Sequence, residues 1–448
     1  MYKSILDNMD NFLQSGAAID INYRINALKK LKASIKKYED EILLSLYRDL
    51  GKNAFEAYET EIGLCYTEIN NFIKNIKKWS KPKNVHTNII NFGAKSVVKP
   101  CAYGKVLIIS PWNYPFQLAI MPLIGAIGAG NCVFLKLSEY SINTSKVIIK
   151  ILKDAFDEDY VFGVYLEKEE TQKLLKENFE YIFFTGSPKI GKKIMESASK
   201  NLTPVTLELG GKSPCIIFED CDLDLAAKRT VFGKFLNAGQ TCVAPDYCLV
   251  QKNIKDEFLK NLIKYIKIFY GENQLQSNNL GKIINQLHFE RLKNHLEKSQ
   301  IIFGGNTDEK SLKIQPSIIK NNIDEEIFGP ILPLIEFDSI ENIKNYINKY
   351  PTPLSIYIFT KNNDIIEKLT SEISFGGGCI NDTIMHLTNE NLPFGGVGNS
   401  GMGSYHGKKS FDTFSHFKSI LIRKNNFDID MRYPNNSQKL ETIKKIMK

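Results

Sequence analysis

The chain has 448 residues, 43% hydrophobic and 24% charged, which is apolar material for a large core spread over two or three domains. Lysine and arginine (58) exceed aspartate and glutamate (50) for a net charge of +8, but the lysines scatter over expected helix faces. No basic block is interleaved with aromatics, which argues against nucleic-acid binding.

The first eighty residues read as helices. Ile25, Leu28, Leu31, Ile35, Tyr38, Ile42 and Leu46 recur at spacings of three and four, one apolar stripe on a lysine-rich helix. Lys81-Pro82-Lys83-Asn84 ends the helical pattern, and short β-like runs from Asn88 to Cys101, broken at Gly93, predict a hairpin. From Lys105 strands alternate with helices: strands at 106–109, 132–135, 161–165, 181–184 and 204–209, and helices at 118–129, 143–156, 169–176 and 189–200. That alternation predicts an α/β fold with a doubly wound parallel sheet and ligands at the carboxyl ends of its strands.

Several strand ends carry candidate groups. Ser110-Pro-Trp-Asn-Tyr-Pro-Phe116 closes one strand, and Asn113 there is suited either to a turn or to donating its amide N–H to a developing oxyanion. Lys136-Leu-Ser-Glu139 offers an ammonium and a carboxylate for phosphate and ribose; on these residues alone an ordinary surface ion pair is the simpler reading. Phe184-Thr-Gly-Ser-Pro-Lys-Ile-Gly191 opens a helix whose free N–H groups suit a pyrophosphate, although it lacks the GxGxxG pattern.

Two further stretches carry the chemistry. Phe235-Leu-Asn-Ala-Gly-Gln-Thr-Cys-Val-Ala-Pro245 sets Cys242 on a turn, where a thiol is more accessible than in an apolar run. Taken alone, a lone cysteine is more often a small buried hydrophobe. In Thr206-Leu-Glu-Leu-Gly-Gly-Lys-Ser-Pro214, Glu208 lies in a strand-like apolar run, where desolvation raises a carboxylate toward the range of a general base.

The eight cysteines are irregularly spaced without a CxxC pair, so no metal site is expected and a reducing compartment is. The N-terminus has Asp7 and Asp10 and no apolar signal core, no run approaches the roughly 20 apolar residues of a membrane span, and the end lacks a prenylation box. A cytoplasmic protein without a membrane anchor is the expectation.

PWNYPF, KLSE, FTGS, ELGGKSP, GQTC, Glu325-Glu-Ile-Phe-Gly-Pro330 and Pro393-Phe-Gly-Gly-Val-Gly-Asn-Ser-Gly-Met-Gly403 follow in the order and spacing of the aldehyde dehydrogenase superfamily. The stretch from Asn381 to His416 resembles its class 3, dimeric branch. The resemblance implies a Rossmann-type nucleotide-binding domain (1–83 and 102–209), a catalytic domain (210–383), bridging elements (84–101 and about 411–430) that pair two subunits, and a glycine-rich loop (384–410) facing the active site. It implies Cys242 as nucleophile, Glu208 as base, and Asn113 with the Cys242 N–H as oxyanion hole. Lys136 and Glu139 would hold the adenosine ribose; Thr185, Gly186, Ser187 and Gly191 the pyrophosphate; and Glu326 and Phe328 the nicotinamide half of NAD or NADP. Glu139 favours NAD, because a carboxylate accepts from a free 2′-hydroxyl and repels a 2′-phosphate. Pro188 stands where threonine is common, and Phe232, where tryptophan occurs, would line an apolar substrate entrance with Tyr66. The implied reaction is oxidation of a medium-chain aliphatic or aromatic aldehyde to a carboxylic acid. A coenzyme A-acylating enzyme and a catalytically silent paralogue are the alternatives; Glu208 argues against the first, which needs no water-activating base, and intact Cys242, Glu208 and Asn113 against the second.

Overall fold

The computed structural model describes residues 2–426 and 428–447. The N-terminal apolar stripe is carried by two helices, where the spacing predicts one. Ile21–Lys37 starts at Asp20, whose side chain accepts from the Asn22 N–H, and Glu39–Leu50 starts with three acidic residues at its positive end. Tyr38, at φ −106° and ψ 15°, turns the chain between them. Ile25, Leu28, Leu31, Ile35, Ile42 and Leu46 are all buried, so the stripe still faces one core.

The first sheet has six strands in the order Gly401–Met402, Val205–Glu208, Tyr181–Thr185, Lys105–Ile109, Cys132–Leu137 and Val161–Tyr165. The last five are parallel. The chain builds outward from Lys105–Ile109 to Val161–Tyr165, then crosses back to lay Tyr181–Thr185 on the other side of the starting strand. The loops after Lys105–Ile109 and Tyr181–Thr185 therefore part at a switch point, where an open α/β sheet leaves a crevice. The helix Gln117–Ala129 is buried along its whole length, which explains its unbroken apolar sequence.

A second sheet runs Ile301–Phe303, Ser317–Ile319, Ile331–Phe337, Tyr247–Gln251, Pro214–Ile217, Ser355–Phe359 and Gly377–Ile380, all parallel except the first pair. The helix positions read from the sequence hold to within about two residues. The hairpin expected within 88–101 is displaced: Ile89–Asn91 is a 3₁₀ turn capped by Asn88, and the first strand is Lys83–Val85. It pairs antiparallel with Ala94–Ala102, which pairs in turn with Ser415–Arg423. Phe417, Ile420, Leu421 and Ile422 of that last strand are exposed, so this small sheet presents apolar side chains to its surroundings.

Helix packing in the first layer depends on a missing side chain. A Cβ on Gly128 would lie 2.4 Å from Cδ1 of Phe72, which is fully buried and edge-on to Trp79. Gly128→Ala should therefore overpack this contact at a cost of ~1–3 kcal/mol and lower the thermal unfolding midpoint. An unchanged midpoint would show that Phe72 can move aside freely.

Candidate active site

Cys242 follows the helix Leu223–Phe235 through a strained turn. Asn237 (φ 53°), Ala238 (φ 51°) and Gly239 (φ 73°) all take left-handed backbone. At Gly239 a Cβ would meet the Gly329 carbonyl at 2.3 Å, so glycine lets the 325–330 loop pass against the cysteine turn. The Gln240 side chain ties the turn down, donating to the Asn237 and Lys282 carbonyls and accepting from the Ile284 N–H. Cys242 itself is half-buried. Burial, then the carboxylates of Glu326 and Glu208, push its thiol up to about 12, so it rests protonated.

Glu208 ends the strand Val205–Glu208, braced at its edge by Gly401, its antiparallel partner. Among the described residues, both its carboxylate oxygens are buried without a hydrogen-bond partner. Desolvation alone therefore raises its pKa well above the ordinary carboxylate range. Glycine is needed beside it: a Cβ on Gly401 would sit 2.5 Å from the Leu207 carbonyl.

Asn113 is buried on the turn after Lys105–Ile109. Its Nδ2 donates to the Gln240 carbonyl at 3.0 Å, which draws the amide toward the cysteine turn. Its own carbonyl accepts from Asn237 Nδ2 at 2.8 Å and Lys52 Nζ at 3.2 Å.

A cavity of about 330 Å³ joins these groups. Asn113, Thr185, Gly186, Ser187, Glu208, Cys242, Glu326 and Phe328 all line it. Its walls fit a nicotinamide dinucleotide. Thr185 Oγ1 is buried and unpaired among the described residues, and Ser187 caps the helix Pro188–Ser199 without a side-chain bond, leaving first-turn N–H groups for phosphate oxygens. Pro188 sits at the first helical position, where no helical N–H is lost. Gly191 falls outside that cavity; it lets the helix pack on Leu209, whose Cδ2 a Cβ would meet at 2.7 Å. Lys136 and Glu139 also lie outside it, at the neighbouring strand end, paired at 2.7 Å.

The loop that carries Glu326 and Phe328 is strained and heavily held. Phe328 has φ 47°, costly for a bulky residue. Lys212, paired with Asp246 at 2.5 Å, donates to the Ile323 and Glu325 carbonyls; Asp246 accepts from the Ile327 N–H, and Arg291 donates to the Ile327 carbonyl. Burial, then repulsion from Asp246, raises Glu326 to about 8.

A second, narrower cavity of about 100 Å³ approaches Cys242 from another side, lined by Leu64, Tyr114, Leu118, Phe232, Leu236 and Phe394 among others. Cys242 and Leu118 border both cavities. Phe232 is in place, but Tyr66 is not: its hydroxyl donates to Glu39 at 2.8 Å, away from the cavity. Leu64 takes the position expected of Tyr66, because two residues on a helix differ by about 200° of rotation. Sequence reasoning also missed Trp112, His288 and Arg291 in the larger cavity and Tyr405 and His406 in the smaller. Trp112 sits inside the quoted PWNYPF motif, and Tyr405 and His406 follow directly on the quoted Pro393–Gly403 motif; His288 and Arg291 lie on a helix with no local signature.

Residues 2–420 match the family model described as the aldehyde dehydrogenase family. The chain is 46% identical over 445 residues to a 4,4'-diaponeurosporen-aldehyde dehydrogenase of Staphylococcus aureus, covering 98% of this chain and 97% of that protein. It is 43% identical over 432 residues to aldehyde dehydrogenase family 3 member A2 of Pongo abelii, covering 95% and 89%. A solved structure described as the substrate-bound state of Staphylococcus aureus AldH superposes with a TM-score of 0.98 over 100% of both chains, at 45% identity.

The raised thiol predicts the pH dependence of alkylation. Only the thiolate reacts, and far below its pKa the thiolate fraction grows about tenfold per pH unit. Carboxamidomethylation of Cys242 without cofactor, followed by peptide mass, should accelerate about tenfold from pH 7 to 8 and again from 8 to 9. A plateau below pH 8 would contradict the burial argument.

Proposed function

The chain belongs to the aldehyde dehydrogenase family and oxidises aldehydes with NAD or NADP; within that activity we propose which residues carry each step. The observation that supports the assignment is that Cys242 borders both cavities, one lined by the groups suited to the phosphate and nicotinamide part of a dinucleotide and one smaller and largely apolar.

Cys242 gives its proton to ionised Glu208, the nearby carboxylate whose basicity burial has raised. The Cys242 sulfur adds to the aldehyde carbonyl, and the resulting oxyanion accepts from Asn113 Nδ2 and the Cys242 N–H; one such donor contributes roughly 3 kcal/mol. Collapse to a thioester releases a hydride, for which bound NAD or NADP is the acceptor. Glu208 passes the thiol's proton to solvent and then takes a proton from water as the water oxygen attacks the thioester carbonyl; the bond from that carbon to the Cys242 sulfur breaks, the carboxylic acid leaves, and Glu208 returns the proton to the sulfur. The left-handed Phe328 and the Glu326 carboxylate orient the nicotinamide half of the cofactor, and Thr185, Gly186 and Ser187 take its phosphates. Glu139 favours NAD, since it would repel a 2′-phosphate, although its pairing with Lys136 softens that repulsion. The exposed apolar sheet ending in Ser415–Arg423 is assigned to a homodimer contact in a cytoplasmic enzyme.

Glu208→Gln keeps shape but removes the proton acceptor. This variant should still form reduced nicotinamide once, more slowly because the thiol has lost its proton acceptor and in an amount no larger than the enzyme concentration; deacylation should suffer more, leaving slow turnover with acyl-enzyme on Cys242. Normal steady turnover restored by added coenzyme A would instead indicate the acylating route. The apolar tunnel sets a second expectation. Each added methylene in a series of short n-alkanals buries about 0.8 kcal/mol, so KM should fall about fourfold per carbon until the tunnel is full. A KM indifferent to chain length would exclude this tunnel as the substrate path.

A further inference from the structure

Lys52 and Glu61, neither of which lines the cofactor cavity, form an ion pair with both side chains fully buried. Such a pair is weak evidence for stability, because desolvating two charges offsets most of their attraction. Where its remaining hydrogen bonds go is more informative. Lys52 Nζ donates to the Asn113 carbonyl at 3.2 Å and lies 3.8 Å from the centre of the Tyr114 ring. Glu61 Oε2 accepts from the N–H groups of Phe116 and Gln117, at 2.8 and 3.2 Å. These contacts fall on residues 113–117, the turn that carries the oxyanion donor at one end and opens the helix Gln117–Ala129 at the other. Glu61 reaches the turn from a π-helical segment, Tyr58–Ile62, an irregularity that recurs at functional sites. Tyr114, held beneath the Lys52 ammonium, bonds Thr241 Oγ1 at 2.7 Å, next to Cys242.

We propose that the Lys52–Glu61 pair is a positioning device for the reaction: it fixes the backbone of the 113–117 turn so that the Asn113 amide meets the oxyanion. Lys52 and Glu61 touch neither substrate nor cofactor in this account; they act through Asn113. Lys52 and Asn237 hold the Asn113 carbonyl from two elements, which leaves the side-chain amide to point between the Gln240 carbonyl and the reacting centre. The inference rests on the assignment of Asn113 as oxyanion donor given above.

The test is a cycle of variants read by single-turnover hydride formation with saturating NAD and hexanal. Removing one charge strands the other, so the neutral pair Lys52→Met with Glu61→Gln is used; it keeps volume and leaves the Gln oxygen to accept at the helix start. This variant should form reduced nicotinamide on the order of tenfold more slowly, with the Kd for NAD changed less than about twofold. In an Asn113→Ala background the same double change should cost less than about twofold, because the group it positions is gone. An equal loss in both backgrounds, or a folded variant with an unchanged rate, overturns the proposal. If Asn113→Ala itself leaves the rate unchanged, the oxyanion assignment fails and takes the proposal with it. Should the neutral pair not fold, Lys52→Arg keeps the charge while its rigid fork re-aims the donor. It is read by the same two comparisons, with the same loss expected and the same results overturning the proposal.

Discussion

Glu208 ends the strand next to a sheet edge, with both oxygens buried and, among the described residues, unpartnered; a carboxylate so placed is costly unless it takes up a proton. Much of the surrounding architecture sustains that condition. The strand Val205–Glu208 fixes its backbone, Gly401 covers it from the neighbouring edge, and Gly210 lets Glu326 lie where a Cβ would be 2.3 Å from its Oε2. The same desolvation keeps the Cys242 thiol protonated. A neutral thiol beside a carboxylate made more basic by burial is a pair ready to exchange a proton, and the exchange becomes productive once a carbonyl carbon arrives.

Two buried ion pairs hold the loops that meet over this centre. Lys212–Asp246 fastens residues 323–327 and so supports the left-handed Phe328; Lys52–Glu61 fastens residues 113–117 and so supports Asn113. In both, the hydrogen bonds left over after pairing go to main-chain groups of one loop. Charge-assisted bonds are about twice as strong as neutral ones, which suits anchoring irregular backbone that no helix or sheet ladder can hold. Glycine at 239, tight against the Gly329 carbonyl, then brings one of these loops against the cysteine turn.

The chemistry of the site was more legible in the sequence than its walls. Cys242, Glu208 and Asn113 each sit in a short segment whose residue types state a local need: a turn, a strand end, a loop. The structure brings all three to one cavity. Strand–helix alternation likewise announced the parallel sheets, because strands buried on both faces read as continuous apolar runs. Tyr66 and Gly191 fall outside the two cavities for geometric reasons. Which helix residue faces a tunnel depends on rotation, and Leu64 faces it; Gly191 serves helix packing on Leu209. Lys52 and Glu61 carry no motif, since a buried ion pair is defined by a contact between separate segments that a linear reading does not contain. The break at Tyr38 was hidden for the same reason: both helices bury the same stripe, so periodicity alone runs straight through it.

In the mechanism proposed above, Cys242 carries the acyl group at the junction of the two cavities. Rapid acid quenching of a mixture of enzyme, aldehyde and NAD, followed by peptide mass mapping, tests it most directly. A transient mass increase equal to the acyl group is expected on the peptide that contains Cys242, and on no other cysteine peptide. The adduct should decay as the carboxylic acid appears. An acyl group on Cys221, Cys248 or Cys379, or acid formed with no acylated peptide at any quench time while Cys242 remains free, would contradict it.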